Sequence, residues 1–128
     1  MTNPRLLISV IMPCYNAEEY VAEAINSVIN QSYPNVELII VDDGSSDKSY
    51  EICQSFVGER KIKIRAFKQV NKGPYPARNN ALGHANGTYI AFLDADDYWD
   101  PDCLALLCES IEKNLPMIRI HPKSKKQR

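Results

Sequence analysis

The chain has 128 residues, 45% of them hydrophobic and 24% charged, with a net charge of −1 from 15 basic and 16 acidic residues. That length holds one ordinary domain, and the composition excludes intrinsic disorder, collagen-like repeats and a disulfide-scaffold peptide. It also excludes a membrane-spanning helix, because the longest apolar stretch, Leu6 to Pro13, is far shorter than the roughly 20 residues a span needs. The charge is unevenly spread: five basic residues (Arg119, Lys123, Lys125, Lys126, Arg128) and no acid lie in residues 119–128, so residues 1–118 carry −6. An acidic body argues against nucleic-acid binding. The four cysteines (Cys14, Cys53, Cys103, Cys108) form no C-x-x-C pair, and His84 and His121 stand far from metal-ligand spacing. This is the pattern of reduced thiols in a cytoplasmic protein. Arg5 before an apolar run imitates a signal peptide, but the run is short and β-branched and no small-residue cleavage site follows.

Leu7 to Met12 is an apolar run of strand length that ends at Pro13. A helix follows over about Glu18 to Asn30, with Val21, Ala24, Ile25, Val28 and Ile29 at helical spacing and Asn16 as its expected cap. After a turn at Ser32-Tyr33-Pro34-Asn35, Val36 to Val41 reads as a strand covered on both faces. Asp42-Asp43-Gly44-Ser45-Ser46 is a loop. Ser46 or Asp47 is expected to cap a second helix that buries Tyr50, Cys53, Phe56 and Val57. Lys61 to Phe67 alternates, with Ile62, Ile64 and Ala66 on one face. A loop at Asn71-Lys72-Gly73-Pro74 leads to a third helix that has Pro76 in its first turn and runs to about Ala85. Thr88 to Leu93 is the fourth strand. Asp94 to Asp100 is an acidic loop, and Pro101 opens a fourth helix to about Lys113 with a stripe of Leu104, Leu107, Cys108 and Ile111.

The order βαβαβαβα predicts an α/β fold: a Rossmann-like, mostly parallel sheet with helices on both faces, right-handed crossovers and four βα units. Residues 1–114 form the expected domain. Residues 115–128 read as a basic, disordered tail.

In an open parallel sheet, ligands bind beyond the carboxyl ends of the strands. Those positions hold Pro13, Cys14, Tyr15 and Asn16, then Asp42, Asp43, Gly44 and Ser45, then Asn71, Lys72 and Gly73 leading to Arg78, then Asp94, Asp96 and Asp97. Singly, each has a plain structural use as a turn, a helix cap or a core aromatic. Together they put five Asp on one rim, and clustered carboxylates repel unless a cation joins them. A hard divalent ion held by carboxylate and substrate phosphate relieves that repulsion, with Lys72 and Arg78 available for phosphate oxygens.

These motifs resemble family 2 glycosyltransferases, the inverting family with the A-type nucleotide-diphospho-sugar transferase fold. The matching pieces stand in family order: Ser9 to Asn16, Ile39 to Asp47, Asn71-Lys72-Gly73 with Ala77-Arg78-Asn79, and Phe92 to Asp97. The similarity covers roughly residues 6 to 114, the N-terminal, donor-binding half. The resemblance implies a nucleotide-diphospho-sugar donor, UDP-linked by family habit, and a glycan or lipid-linked acceptor, as in cell-envelope polysaccharide synthesis. By position it implies Tyr15 against the base and backbone near Pro13 on the nucleoside. It further implies Asp42 on the base with Asp43 beside it, Asp94 toward the ribose or sugar, and Arg78 near the phosphates. Asp96, the last Asp of the D-x-D motif, would ligate Mg²⁺ or Mn²⁺.

The family's catalytic base lies beyond the D-x-D motif, in an acceptor half to which nothing here corresponds, so no catalytic residue is assigned and the chain reads as truncated. Two alternatives stay open: a non-catalytic nucleotide-sugar-binding or assembly module, and an inactive fragment from an interrupted reading frame. A receiver domain and a haloacid-type phosphatase fit less well, because both want their acids after the first strand. The basic tail is also compatible with a peripheral position at the inner face of the membrane. The edge beside the fourth strand is expected to be open, which invites self-association or a partner chain.

Overall fold

The computed structural model describes residues 6–113 and 123–124. Its first strand, β1 (Ile8–Cys14), is central and pairs in parallel with β2 (Val36–Asp42) on one side and β4 (Tyr89–Phe92) on the other. β3 (Lys63–Lys68) adds in parallel to the far side of β2, so the sheet order is β3-β2-β1-β4. Every residue of β2 is buried, and so is every residue of β1 except the half-buried Pro13. This is why Val10–Met12 and Leu38–Val41 within them read as continuous apolar runs.

β1 runs two residues past its expected end and takes in Pro13. Within a strand, backbone groups face the two neighbours alternately. Ile11 O accepts Leu93 N on the β4 side, while Cys14 O accepts Asp43 N on the β2 side. Pro13 therefore turns its missing N–H toward β4, whose pairing with β1 stops at Ile11 and Phe92. The proline sits where no partner is waiting for its donor.

Four helices connect or follow the strands: α1 (Val21–Ile29), α2 (Ser49–Ser55), α3 (Pro74–Leu82) and α4 (Cys103–Glu112). α1, α2 and α4 bury Val21, Ile25, Val28, Cys53, Leu104 and Cys108 against Ile8, Val10, Met12, Leu38, Ile40 and Ile64. α3 covers the other face with Ala77 and Ala81 on Ile11, Ile39 and Val41. Right-handed crossovers require this split. The chain steps from β1 through β2 to β3 in one direction, then returns past β1 to β4, so α3 must lie on the opposite face. The strand order thus reverses between β1 and β4.

Several boundaries differ from the sequence reading. α1 starts at Val21, and Asn16 is not its cap; Asn16 has φ +45 and serves another loop. α2 has no side-chain bond from its N-cap residue, Lys48; Asp47 Oδ1 accepts Ser49 N at 2.9 Å instead. Val57, expected in the core, is 40% exposed because α2 ends at Ser55. α3 begins at Pro74, inside the expected loop, with Pro76 in its first turn as expected, and ends at Leu82, short of Ala85. The acidic loop contains a two-residue strand, β5 (Asp97–Tyr98), antiparallel to β6 (Lys123–Ser124). The expected domain boundary at residue 114 and the rest of the basic tail lie outside the described residues. All four cysteines are free thiols, three of them buried.

A polar cluster sits inside the sheet at its other end. Glu37 on β2 is 4% exposed and accepts hydrogen bonds from Ser9 Oγ and from Asn86 N at 2.7 Å, with Arg65 Nη2 at 3.4 Å. Burial pushes its carboxyl up. The bonds from Ser9 and Asn86, with the Arg65 charge, outweigh that and hold it below its usual range. Ser9 Oγ in turn accepts Gly87 N at 2.8 Å, which seats the α3–β4 connection on β1.

Candidate functional site

The reversal point between β1 and β4 opens into a cleft of about 370 Å³. It is lined by Pro13, Tyr15, Asn16, Ala17 and Tyr20 after β1, Pro74 and Arg78 from α3, and Asp94, Ala95 and Asp96 after β4. Ligands of open α/β sheets settle at such a reversal, because the loops on either side of it part to opposite faces.

Five of the seven expected site residues meet here: Pro13, Tyr15, Arg78, Asp94 and Asp96. Tyr15 is 53% exposed, which leaves its ring free to stack. Arg78 is fixed from two sides. Its Nη2 lies 3.4 Å from Asp94 Oδ1, and its guanidinium carbon lies 5.6 Å from the Phe92 ring centre and 5.8 Å from that of Tyr75. Charge and aromatic contacts of this kind hold an arginine in place while leaving further donors available. Carboxylate oxygens of Asp94, Asp96 and Asp97 all lie within 4.8 Å of one another. Three oxygen donors that close suit a hard divalent cation, and Asp97 joins a set from which the sequence had selected Asp96 alone.

Asp42 and Asp43 stand beside the cleft rather than in its lining. Asp42 is fully buried and binds its own loop: Oδ2 accepts Ser45 N at 2.9 Å and Oδ1 accepts Ser45 Oγ at 2.6 Å. Asp43 is 4% exposed and reaches toward α3, accepting Gln69 Nε2 at 2.9 Å, Lys72 N at 2.7 Å and Gly73 N at 2.9 Å. Burial pushes the Asp43 carboxyl up, and these three bonds more than cancel it, so the group stays ionised below the ordinary range. Gly44 between them and Ser45 has φ +71, and a Cβ there would lie 2.9 Å from Asn71 N. Glycine is needed both for the left-handed turn and for the close approach of the next loop. Lys72 is exposed and lends its backbone to Asp43, while its side chain is not part of the lining.

The loop after β1 gets its shape from the loop after β2. Asn16 N donates to Ser45 Oγ at 2.9 Å, Ala17 N to Ser49 Oγ at 2.8 Å and Glu18 N to Asp47 Oδ2 at 3.2 Å. Asn16 Oδ1 accepts Ser46 N at 2.9 Å in return. The Asp-Asp-Gly-Ser-Ser-Asp run is therefore a set of acceptors for the donors that precede α1, and it places Tyr15. Sequence reasoning did not single out Tyr20, Pro74 or Ala95. Only tertiary placement identifies them, since none carries a distinctive chemistry.

Against known proteins, residues 9–122 match the family model described as glycosyl transferase family 2. A glycosyltransferase of Haemophilus influenzae is 52% identical over 92 residues, 72% of this chain and 37% of that protein. The minor teichoic acid biosynthesis protein GgaA of Bacillus subtilis is 36% identical over 94% of this chain and 29% of its own length. Staphylococcus aureus TarS, solved with UDP-GlcNAc, superposes with a TM-score of 0.78 at 33% identity, over 84% of this chain and 32% of that one. The mannosyltransferase PcManGT of Pyrobaculum calidifontis, solved with GDP-Man and Mn²⁺, gives 0.69 at 26% identity, over 77% and 30%. The chain spans about a third of the length of these relatives.

Proposed function

This chain belongs to glycosyl transferase family 2, and from that membership we propose that its cleft binds a nucleotide-diphospho-sugar as the donor site of a glycosyltransferase. The observation that carries the reading is one cleft, at the strand reversal, that joins an exposed aromatic, a fixed arginine and a triad of carboxylates. A nucleotide diphosphate needs those three chemistries: a ring to stack on, a cation for its oxygens and a metal to join its charge to the protein.

In this reading Tyr15 stacks on the base, and backbone at Pro13 borders the nucleoside. Asp42 and Asp43 serve the base side, Asp42 through the loop it shapes with Ser45 and Asp43 through the strap it holds. Arg78 meets the phosphate oxygens, and Asp94 turns to the ribose or sugar. Asp96, with Asp94 and Asp97 at hand, holds Mg²⁺ or Mn²⁺. The cation's chemistry, when bound, is that of a Lewis acid stabilising the diphosphate leaving group. No residue of this chain is assigned as the base for an acceptor hydroxyl, so transfer is proposed for the whole protein and donor binding for this part of it. TarS was solved with UDP-GlcNAc, which favours a UDP-linked donor. GgaA is named for teichoic acid synthesis, which favours a cell-envelope glycan or lipid-linked acceptor, handled on the cytoplasmic side. Among the described residues no helix is long and apolar enough to cross a membrane.

Titration calorimetry with UDP, GDP and dTDP, with and without Mn²⁺, tests the site. UDP is expected to bind best, with Mn²⁺ tightening it in the wild type and not in Asp96→Ala. Mn²⁺-dependent binding that survives Asp96→Ala would overturn the metal assignment, and no binding of any of the three would overturn the site.

A further inference from the structure

The acidic triad stands at the near end of a loop whose far end is tied to a different part of the molecule. Gln31, just past α1, is 3% exposed, and its side-chain amide is fully engaged. Nε2 donates to Ser27 O at 3.0 Å and to Asp100 O at 2.7 Å, while Oε1 accepts Leu104 N at 3.0 Å. The last of these caps α4, whose own N-cap residue Asp102 makes no side-chain cap bond. Ser32 adds two more links: its N–H donates to Pro101 O at 2.8 Å and its Oγ to Asp102 Oδ1 at 2.8 Å. Four bonds thus join Gln31 and Ser32 to residues 100–104.

The opposite end of the loop hangs from β4, where Leu93 N donates to Ile11 O at 3.0 Å. Between the two anchors lie Asp94, Asp96 and Asp97, whose carboxylate oxygens come within 4.8 Å of one another, and the short strand β5, which pairs with β6. Two residues, Tyr98 and Trp99, separate Asp97 from Asp100, a span of at most roughly 10 Å, so a shift at Asp100 is passed to β5, which carries Asp97. Buried Trp99 lies between them and stiffens that link.

We propose that Gln31, with Ser32 beside it, is a positioning residue that holds the acidic loop closed and so presets Asp94, Asp96 and Asp97 for a divalent cation. The inference rests on the reading of this cleft as a metal-dependent nucleotide site. Groups bonded directly to a metal ligand commonly change affinity by roughly 10–100-fold when removed; Gln31 acts one step further out, through Asp100 O and Leu104 N, so a smaller change is expected.

The test is Mn²⁺ affinity by electron paramagnetic resonance, together with UDP affinity with and without Mn²⁺, on wild type, Gln31→Met and Ser32→Ala. Gln31→Met keeps length and volume and removes all three amide bonds. Ser32→Ala removes one exposed bond and carries little folding risk. Gln31→Met is expected to weaken Mn²⁺ binding several-fold, up to roughly 10-fold, and Ser32→Ala by less in the same direction, with metal-free UDP affinity unchanged in both. A merely structural Gln31 would lower the melting temperature and leave the ratio of metal-bound to metal-free UDP affinity as in the wild type, which would overturn the proposal. If Gln31→Met fails to fold, an unchanged Mn²⁺ affinity in Ser32→Ala overturns it. Wild-type UDP binding indifferent to Mn²⁺ would overturn the metal reading of the cleft itself, and this inference with it.

Discussion

Asp43 shows how one side chain can organise a site without lining it. It gathers Gln69, Lys72 N and Gly73 N, and so fixes the entry to α3 and the start of the turn that delivers Arg78. Asp43→Ala leaves three part-buried donors without their acceptor, at an expected cost of about 1 kcal/mol at neutral pH by urea denaturation. The sign with pH follows from its lowered carboxyl. Such a group stabilises the fold above its unfolded value of about 3.9, and the contribution is lost as pH falls through the lower folded value. The difference between wild type and Asp43→Ala is therefore expected to be full at pH 7 and to shrink below about pH 4. A difference as large at pH 2.5 as at pH 7 would show that the carboxylate charge is not the source. The Asp pair was legible in the sequence as a motif. Its orientation was not, because the two side chains leave the backbone in opposite directions, toward Ser45 and toward Lys72.

At the scale of elements, the strands were the most legible part and the helix starts the least. Continuous apolar runs located β1 and β2 because both faces of each are covered, and burial alone dictates their composition. Helix starts depend instead on which acceptors arrive from elsewhere. The donors before α1 go to Ser45, Ser49 and Asp47 rather than staying with Asn16, and the α4 start goes to Gln31, whereas at α2 the expected local acceptor Asp47 does take Ser49 N. Packing between elements is tight where the α3–β4 connection crosses β1. A Cβ on Gly87 would lie 2.5 Å from Ser9 Oγ and 2.7 Å from Ser9 N. Gly87→Ala should therefore push β4 off β1 and disturb the Glu37 cluster, with a loss of about 1–3 kcal/mol in a chemical melt. A neutral effect would mean the connection can shift without moving β4. Gly58, just past α2, has open space around its Cβ position, so Gly58→Ala serves as the control.

For the whole molecule, the two edges of the sheet differ. β3 carries Lys63, Arg65 and Lys68, charges that discourage strand addition. β4 pairs with β1 alone among the described residues and shows Ile90 and Phe92 at 36% and 48% exposure. α3 packs its Ala77 and Ala81 on β1 and β2 and reaches β4 through the Arg78 guanidinium over Phe92. Self-association through β4 is the expected result, visible by light scattering as a mass that rises with concentration and falls in Ile90→Lys. A monomer at the highest attainable concentration would contradict it.

From the sequence alone one could determine the order of strands and helices, the α/β class and the rim on which chemistry would gather. Hydrophobic period and chain order carry that information locally, and parallel strands put their carboxyl ends together whatever the details. Which rim residues face the cleft was decided only by the tertiary structure. The side-chain acceptors that meet the donors before α1 and at the start of α4 lie 29 to 73 residues from them. Such a pairing follows from strand order and from the reversal between β1 and β4, and no local pattern encodes it. The same physics sends Asp42 and Asp43 inward as loop supports, brings Asp97 into the carboxylate triad and makes Gln31 part of the site's foundation.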